Sequence, residues 1–449
     1  MTTTTRGRGS LSSLWLFVLS FRQRFPTGSL SRNAIFSAAQ SIVALVCLFA
    51  IYRLLVQEIG LERLGIWSLL LAASAFVRIG DVSGAGALAR FVAFASPSGG
   101  IGSPRDYVHT VLLTSVAMNS VFAAAIYYAA PVALPFMVGP GHLDEARNLV
   151  PFVIAIMMLG AFGAGVGAAI DGTQRADQRA LVMTFANLAY FVAAWFAIPR
   201  FGLTGFALAN VFHFVVVIVL GWIVLRRHVD GLGWFPFRWS RRVFAETGAY
   251  ALKLNAIGIM MMLFEPLAKL GFNHAGGPVM VAHYDLATRL VMQIRGLVVA
   301  GATPLTPAFA RFKNPADPGF GALLEKATRV SALAAVVTAF LSLAGAPLMS
   351  LVILGKMDAD LLRMSTALTL GWSINLLCLG SYMAAQGIGL LRWNFISHAV
   401  LALCVVIGVF ALVPAFGADG LLAAAVAGLV LGALVNYFGN SYIFNFHSR

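Results

Sequence analysis

Residues 181–225 read LVMTFANLAYFVAAWFAIPRFGLTGFALANVFHFVVVIVLGWIVL, with Arg200 as the only charged residue. The stretch is long enough for two helices that each cross the hydrocarbon core of a bilayer, which takes about 20 residues per helix. Arg200 and the glycines beside it separate the two apolar runs. Because lipid cannot satisfy exposed backbone groups, both runs are predicted to be helical. The stretch therefore indicates two consecutive membrane-spanning helices.

The rest of the chain has the same character. Of its 449 residues, 60% are hydrophobic and 11% are charged, against roughly 25% charged in a typical soluble domain. A soluble fold would lack the polar surface to cover itself, and intrinsic disorder or a secreted disulfide scaffold is excluded as well. The three cysteines, Cys47, Cys378 and Cys404, lie in apolar runs without metal-ligand spacing. We interpret them as packing residues.

Twelve apolar spans can be delimited along the chain, and they predict an all-α polytopic membrane protein. They cover residues 33–55, 64–89, 108–130, 149–170, 181–198, 205–225, 249–270, 281–305, 330–354, 365–388, 394–413 and 420–443. The apolar patch within residues 1–30 is too short to span a bilayer. We interpret that segment as a cytoplasmic N-terminal segment with an interfacial helix.

The basic residues indicate the orientation. The net charge is +14 from 31 Lys and Arg against 17 Asp and Glu. With the N-terminus inside, twenty Lys and Arg fall on the inner side, six on the outer side and five within spans. Basic residues gather in cytoplasmic loops of membrane proteins, so the sequence predicts a multi-pass membrane protein with both termini cytoplasmic. The positive charge then needs no nucleic acid as a partner.

Short motifs recur in the same order in the two halves. FGLTG at 201–205 returns as FGADG at 416–420, and ARF at 89–91 returns at 310–312. VG at 138–139 and DG at 171–172 match LG at 354–355 and QG at 386–387. Displacements of 215 to 221 residues predict two six-helix bundles, 31–226 and 243–449, joined by a basic cytoplasmic linker, 227–242. Because six is even, the repeats run parallel around a central cavity, as in rocker-type transporters.

Ionisable residues at membrane depth are the candidates for function, since each costs at least ~2.5 kcal/mol unless it faces protein or water. Eight fall within spans: Arg53, Arg78, Asp81, Lys253, Glu265, Asp285, Arg289 and Arg295. Arg78 and Asp81 share a helix face, as do Asp285 and Arg289. Each of these pairs either joins helices as a neutral unit or lines a cavity.

The other four ionisable residues have no partner of this kind. Arg53 and Glu265 lie near the outer ends of their spans and are predicted to snorkel to the interface, and Lys269 is counted with the outer loop residues. Arg295 and Lys253 lack a partner at helical spacing. Such cations are predicted to face a wet cavity that receives an anion.

Enzyme activity is not indicated. There is no Walker A motif, no HExxH motif and no nucleophile elbow in a soluble region. The sequence also predicts no cofactor and no metal site, because His213, His283 and His398 are scattered. Transport without intrinsic ATP hydrolysis is the function class that remains, with H⁺ or Na⁺ coupling left open.

Two stretches carry a family resemblance. LGIWS at 64–68, RIGD at 78–81 and GALARF at 86–91 resemble the second-helix signature of polysaccharide transporter flippases. These are O-antigen-type lipid-linked oligosaccharide exporters of the multidrug/oligosaccharidyl-lipid/polysaccharide (MOP) superfamily. HYDLATRL at 283–290, leading to ARF at 310–312, resembles the eighth helix of that family. The similarity extends from about residue 33 to 443 and implies a MATE-like fold.

The resemblance implies a flippase of the bacterial inner membrane that turns an undecaprenyl-diphosphate-linked oligosaccharide from the cytoplasmic to the periplasmic leaflet. Membrane lipid and, as further partners, a glycan polymerase or glycosyltransferases of the same pathway are implied with it. The family's cationic cavity, carried over to this sequence, falls on Arg78, Arg289 and Arg295, with Lys253 as an additional candidate. Asp81, Asp285 and Glu265 would balance charge or couple transport to an ion.

The sequence departs from the family pattern in two places. Asp81 is followed by Val-Ser-Gly rather than completing an Asp-Leu-Gly type of motif, and Glu265-Pro266 stands where relatives carry an Asp-Lys pair.

Two competing functions stay open. A multidrug or metabolite antiporter would need an anionic cavity, whereas five cations face three anions within the spans. A polytopic glycan-assembly enzyme would need a catalytic loop or intramembrane His.

Overall fold

The computed structural model describes residues 30–77, 88–95, 102–302, 305–312 and 315–447, and this part of the chain contains helices and no β-strand. In chain order the helices are α1 (Leu30–Val77), α2 (Leu88–Phe94), α3 (Pro104–Met137), α4 (Leu143–Gly172), α5 (Ala176–Arg226), α6 (Arg241–Ala302), α7 (Leu305–Phe309), α8 (Phe320–Met349), α9 (Ala359–Leu376), α10 (Leu379–Ile388), α11 (Arg392–Ile407) and α12 (Val413–His447). The interfacial helix predicted within residues 1–30 lies outside the described residues.

The longest helices reverse direction at glycines. A straight helix of the 51 residues of α5 would measure about 77 Å, more than twice the hydrocarbon thickness of a bilayer. Instead, Gly202 has a positive φ of 56°, and the rings of Tyr190 and His213 on its two sides are 5.3 Å apart. Each of these helices is therefore a hairpin with two arms. The other reversals are at Gly60 in α1, Gly277 in α6 and Gly417 in α12.

The hairpins account for twelve spans. Six apolar segments of the described chain are long enough to cross a membrane, and α9 with α10 forms a seventh span bent by 46°. Three of the six contain a hairpin turn, and α6 supplies two further arms. The all-α fold with about twelve transmembrane helices is thus confirmed. The spans alternate in direction, so the four hairpin turns lie on one side and residues 227–240 lie on the other. The side with the hairpin turns is called the outer side below, after the orientation predicted from the basic residues.

The two halves share their backbone geometry. Gly202 and Gly417 are 215 residues apart and have φ/ψ of 56°/−131° and 57°/−139°. Gly60 and Gly277 are 217 residues apart and also have matching values, 81°/169° and 73°/−172°. Such conformations are open to glycine and strained for other residues. The FGxxG motifs that repeat in the sequence therefore mark equivalent turns in the structure.

The halves meet along the arms of α1 and α6, and this contact is called the repeat interface below. One continuous buried cluster contains Tyr52 and Trp67 of α1 together with Phe272 and Tyr284 of α6. Trp67 and Tyr284 are related by the 217-residue displacement, and both are 1% exposed or less. The apolar packing places the charged residues of α6 directly beside the first repeat.

Candidate functional site

A buried ion cluster lies at the repeat interface. Asp285, on the second arm of α6, is 2% exposed. Its Oδ1 lies 2.7 Å from Lys269 Nζ, and its Oδ2 lies 2.7 Å from Arg289 Nε. Lys269 Nζ also lies 2.7 Å from Glu265 Oε1. Two cations and two carboxylates therefore alternate along the cluster, which satisfies the rule that buried charges are paired.

The hairpin at Gly277 builds this cluster. Lys269 and Asp285 are each eight residues from Gly277, on opposite arms of α6. At 1.5 Å per residue, both lie about 12 Å below the turn. Arg289, one helical turn beyond Asp285, lies about 18 Å below it, close to the middle of a ~30 Å hydrocarbon layer.

Lys269 corrects the sequence analysis, which counted this residue with the outer loops. Its side chain is 4% exposed, and it joins the carboxylates of Glu265 and Asp285. The residue stands four positions after Glu265, a spacing that places both on one helix face. That spacing was the signal available in the sequence, whereas the contact with Asp285 depends on the hairpin.

The first repeat contributes Tyr52 to the same cluster. Tyr52 OH donates a 3.4 Å hydrogen bond to Asp285 Oδ2, and the Arg289 guanidinium lies 5.0 Å from the centre of the Tyr52 ring. The Arg289 side chain keeps 32% of its surface exposed. Of the two members of the ion cluster on the second arm of α6, Arg289 is therefore the one with a side chain accessible to a ligand. The sequence analysis did not single out Tyr52, because an aromatic residue in an apolar span is ordinarily a packing residue.

The cluster is asymmetric between the repeats. The displacement of 217 residues that relates Gly60 to Gly277 also relates Tyr52 to Lys269 and Ser68 to Asp285. The first repeat thus has a phenol and a hydroxyl where the second has a cation and an anion. Ser68 is 1% exposed and its hydroxyl has no hydrogen-bond partner among the described residues.

Arg295 lies in a different environment from Arg289. It is about 9 Å further along the helix axis and a third of a turn around it. Its guanidinium lies 4.8 Å from the centre of the Trp372 ring of α9, with Tyr382 and His398 in electrostatic range. Its Nε is buried without a hydrogen-bond partner among the described residues. The structure therefore does not bring the two arginines into one contact group.

The remaining candidates are placed as follows. Arg78 and Asp81 lie outside the described residues, and Lys253 lies on the first arm of α6 with its side chain outside them. Glu265 keeps 53% of its side chain exposed while it pairs with Lys269. Arg53 is exposed, and its Nη1 donates a 2.5 Å hydrogen bond to the Val352 carbonyl in the second repeat. Arg53 therefore bridges the repeats, in addition to lying near the outer side.

No protein-family model matches this chain, and no curated protein matches it in sequence. Solved structures do match. An inward-facing multidrug resistance MATE family transporter of the MOP superfamily has a TM-score of 0.69 at 17% identity, over 92% of this chain and 98% of that one. An outward-facing MATE transporter has a TM-score of 0.64 at 17% identity, over 93% and 96%.

A third match is a MOP superfamily transporter from Pyrococcus furiosus. It has a TM-score of 0.67 at 17% identity, over 93% of this chain and 96% of that one. That protein is described as having a binding pocket of reverse polarity, which suggests a different function. Together these likenesses show that the chain has the fold of MATE transporters, over nearly its whole length.

Proposed function

We propose that the protein is a flippase that moves an undecaprenyl-diphosphate-linked oligosaccharide from the cytoplasmic to the periplasmic leaflet of the bacterial inner membrane by alternating access. The fold supports transport, because solved structures of this architecture include inward-facing and outward-facing transporters. The substrate class rests on the charge of the membrane-spanning part and on the resemblance of the second and eighth helices to polysaccharide flippases. A glycan polymerase or glycosyltransferases of the same pathway would be partners.

The single observation that carries the proposal is which charged side chains of α6 are paired with an opposite charge and which are not. Both described carboxylates in its spanning arms, Glu265 and Asp285, are paired with Lys or Arg. Arg295 has no carboxylate beside it in the described part of the chain, and its Nε is unpaired. Arginine matches phosphate oxygens with two parallel N–H donors. An uncommitted cation of this kind suits a diphosphate better than a cationic drug.

The repeat symmetry adds a second cation to the proposal. At the 217-residue displacement of the hairpin turns, Arg295 corresponds to Arg78 in the first repeat. In a fold with parallel repeats, a substrate near the pseudo-two-fold axis would meet one arginine from each half. We assign Arg78 and Arg295 to the two sides of the headgroup, with Lys253 as a further cation.

Arg289 would act together with the carboxylate of Asp285, its ion-pair partner. A diphosphate that reaches its exposed side competes with Asp285 for the same guanidinium. Lys269 stays beside Asp285, so the carboxylate keeps a cation when Arg289 turns to the substrate. We therefore assign charge balance and release to Asp285 and Glu265, and propose the same role for Asp81. H⁺ or Na⁺ would couple through this set.

The experiment is a leaflet-accessibility assay for a fluorescent or isotopically labelled lipid-linked oligosaccharide in proteoliposomes. We expect Arg295→Ala and Arg289→Ala each to lower the flipping rate at least tenfold, since each charge-assisted contact contributes about 1.5–3 kcal/mol. Arg295→Lys should retain part of the rate. Arg200→Ala is the matched control, because Arg200 is exposed at the outer turn and bonds to its own helix at Phe196 O.

Two results would overturn the proposal. One is a wild-type rate of flipping in both alanine variants, with normal insertion of all proteins. The other is efflux of an organic cation by the wild-type protein without any flipping, which would favour the multidrug antiporter. The fold is compatible with that second candidate, because the inward-facing and the outward-facing matching structures are both multidrug resistance MATE family transporters.

A further inference from the structure

A second cluster of metal-ligating side chains lies on the outer side of the second repeat, apart from the ion cluster. His283 is six residues beyond Gly277 on the second arm of α6, while Asp358 and Asp360 lie at the start of α9. One ligand atom of each comes within 4.8 Å of the others. No other group of three His, Cys, Asp or Glu in the described chain meets this criterion.

The imidazole of His283 faces this cluster, but its ring nitrogens form no hydrogen bond with the two aspartates. Its side chain is 5% exposed, and Nε2 lies 3.3 Å from Asp358 Oδ1. Neither ring nitrogen makes a hydrogen bond within the described part of the structure. Buried polar groups are nearly always hydrogen-bonded or bound to an ion. The two buried ring nitrogens of His283, which lack a hydrogen-bond partner among the described residues, are therefore independent evidence for a ligand.

Asp358 is positioned by a backbone donor and Asp360 by an arginine, and both carboxylates retain free acceptor capacity. Asp358 is the N-cap of α9 and accepts a 3.0 Å hydrogen bond from Leu361 N. Its second oxygen is 3.7 Å from Lys356 Nζ, and Asp360 lies 2.8 Å from Arg363 Nη2. A carboxylate has about four acceptor positions, so each can still bind a cation.

We propose that His283, Asp358 and Asp360 bind a divalent transition-metal ion of the Zn²⁺ class. Imidazole nitrogen and carboxylate oxygen are both zinc ligands, and a zinc site with three protein ligands leaves a fourth position to water. A nitrogen ligand argues against Ca²⁺ and Mg²⁺, which prefer oxygen ligands alone. Ligand atoms around one Zn²⁺ are about 3–4 Å apart, so the observed spacing needs only small side-chain movements.

The bound ion would join α6, one of the two helices of the repeat interface, to the start of α9. His283 stands two residues before Asp285 of the ion cluster. Asp358 follows, by six residues, the Val352 carbonyl that accepts the hydrogen bond of Arg53. An ion held between them fixes the outer end of the second α6 arm to the start of α9. Because only the folded chain assembles the three ligands, the ion stabilises the protein. This inference holds for any transported substrate.

The test uses the full chain, without an affinity tag, purified in detergent and stripped with a chelator. Zn²⁺ alone is titrated by calorimetry and by thermal unfolding, and Co²⁺ serves as the spectroscopic probe. We expect one Zn²⁺ per chain, a higher Tm with Zn²⁺ than with Mg²⁺ or Ca²⁺, and the visible absorption of Co²⁺ with nitrogen and oxygen ligands.

The variants separate binding from folding. Asp358→Asn keeps an N-cap side chain while it removes the ligand charge, and we expect it and Asp360→Asn to lower Zn²⁺ affinity at least about tenfold. His283→Ala should abolish stoichiometric binding. His142→Ala is the matched control, since His142 also lies between two carboxylates, Glu62 and Glu145, on the outer side.

The proposal is overturned if the wild-type protein binds no stoichiometric Zn²⁺, or if the aspartate variants bind it with unchanged affinity. Loss of binding in His142→Ala with retention in His283→Ala would also overturn it. If His283→Ala fails to fold, the two asparagine variants decide the matter, because both preserve side-chain volume.

Discussion

At the scale of single residues, Asp285 is the centre of the repeat interface. Lys269 and Arg289 each place a nitrogen 2.7 Å from one of its oxygens, and Tyr52 approaches from the other repeat. Its spacing from Arg289 predicted that pair from the sequence. The contact of Lys269 with Asp285 could not be predicted in the same way. Lys269 stands sixteen positions before Asp285, and only the turn at Gly277 brings them together.

The first prediction concerns the stability of this cluster. Asp285→Asn should lower the free energy of unfolding by about 3 kcal/mol, because it removes the anion shared by Lys269, which is buried and keeps only Glu265, and by the partly exposed Arg289. Lys269→Met should be milder, since Asp285 keeps Arg289 and Tyr52. Chemical denaturation in micelles, followed by tryptophan fluorescence, measures both.

Arg329→Ala is the control for these variants. Arg329 pairs with Glu325 on the exposed face of α8, with 78% of its side chain accessible, and exposed pairs contribute about 0–1 kcal/mol. Equal losses in Asp285→Asn and Arg329→Ala would contradict the central role of Asp285.

At the scale of elements, four glycine turns convert long helices into hairpins. The FGxxG motifs at 201–205 and 416–420 could be recognised in the sequence as a repeat, and both form turns with nearly identical φ/ψ. The turns at Gly60 and Gly277 have no common motif around them. Their equivalence follows from the backbone, because the neighbouring residues differ while the conformation that glycine permits is the same.

The second prediction concerns these turns. Gly417→Ala and Gly202→Ala should each destabilise the protein by about 1–3 kcal/mol, since alanine is strained at φ near +57° with ψ near −135°. Thermal unfolding of the detergent-solubilised variants measures the loss.

Gly321→Ala is the matched control for the turn variants. Gly321 lies in the first turn of α8, and an added Cβ would meet no atom within 4 Å. Alanine there should be neutral or stabilise by up to about 1 kcal/mol. A comparable loss in all three variants would show that the hairpin conformation is not the cause.

At the scale of the whole molecule, the repeats are in contact near the outer side. Arg53 bonds to the Val352 carbonyl and Asn273 Nδ2 donates a 2.8 Å hydrogen bond to the Met137 carbonyl. Gly65 approaches Pro278 so closely that a Cβ would lie 1.8 Å from its carbonyl oxygen. In the alternating-access cycle of the proposed function, these contacts would break when the outer side opens.

The third prediction concerns the equilibrium between a state with the outer side closed and a state with the outer side open. The double variant Arg53→Ala, Asn273→Ala should shift the population towards an outward-open state by about 1–3 kcal/mol, roughly 5- to 150-fold, because it removes two hydrogen bonds between the repeats. Spin labels at Asp144→Cys and Met357→Cys, after replacement of the three native cysteines, should report a larger fraction of long distances.

Arg63→Ala is the control for the double variant. Arg63 pairs with Glu145 at 3.2 Å on the outer side, within the first repeat. Its loss should leave the spin-label distances as they are. A distance distribution unchanged in the double variant, or changed equally in Arg63→Ala, would contradict the assignment of Arg53 and Asn273 to the closed outer side.

The sequence by itself determined the helical membrane class, the number of spans and the repeat, because these depend on local apolar length and on recurring turn motifs. It also determined the pairing of Asp285 with Arg289, which lie one turn apart on one helix. Only the tertiary structure decided that Lys269 and Tyr52 join them, that Arg295 stands apart beside Trp372, and that His283 meets Asp358, which lies 75 positions further along the chain. Those contacts depend on how hairpin arms pack against each other, and helical periodicity carries no information about distances between separate helices.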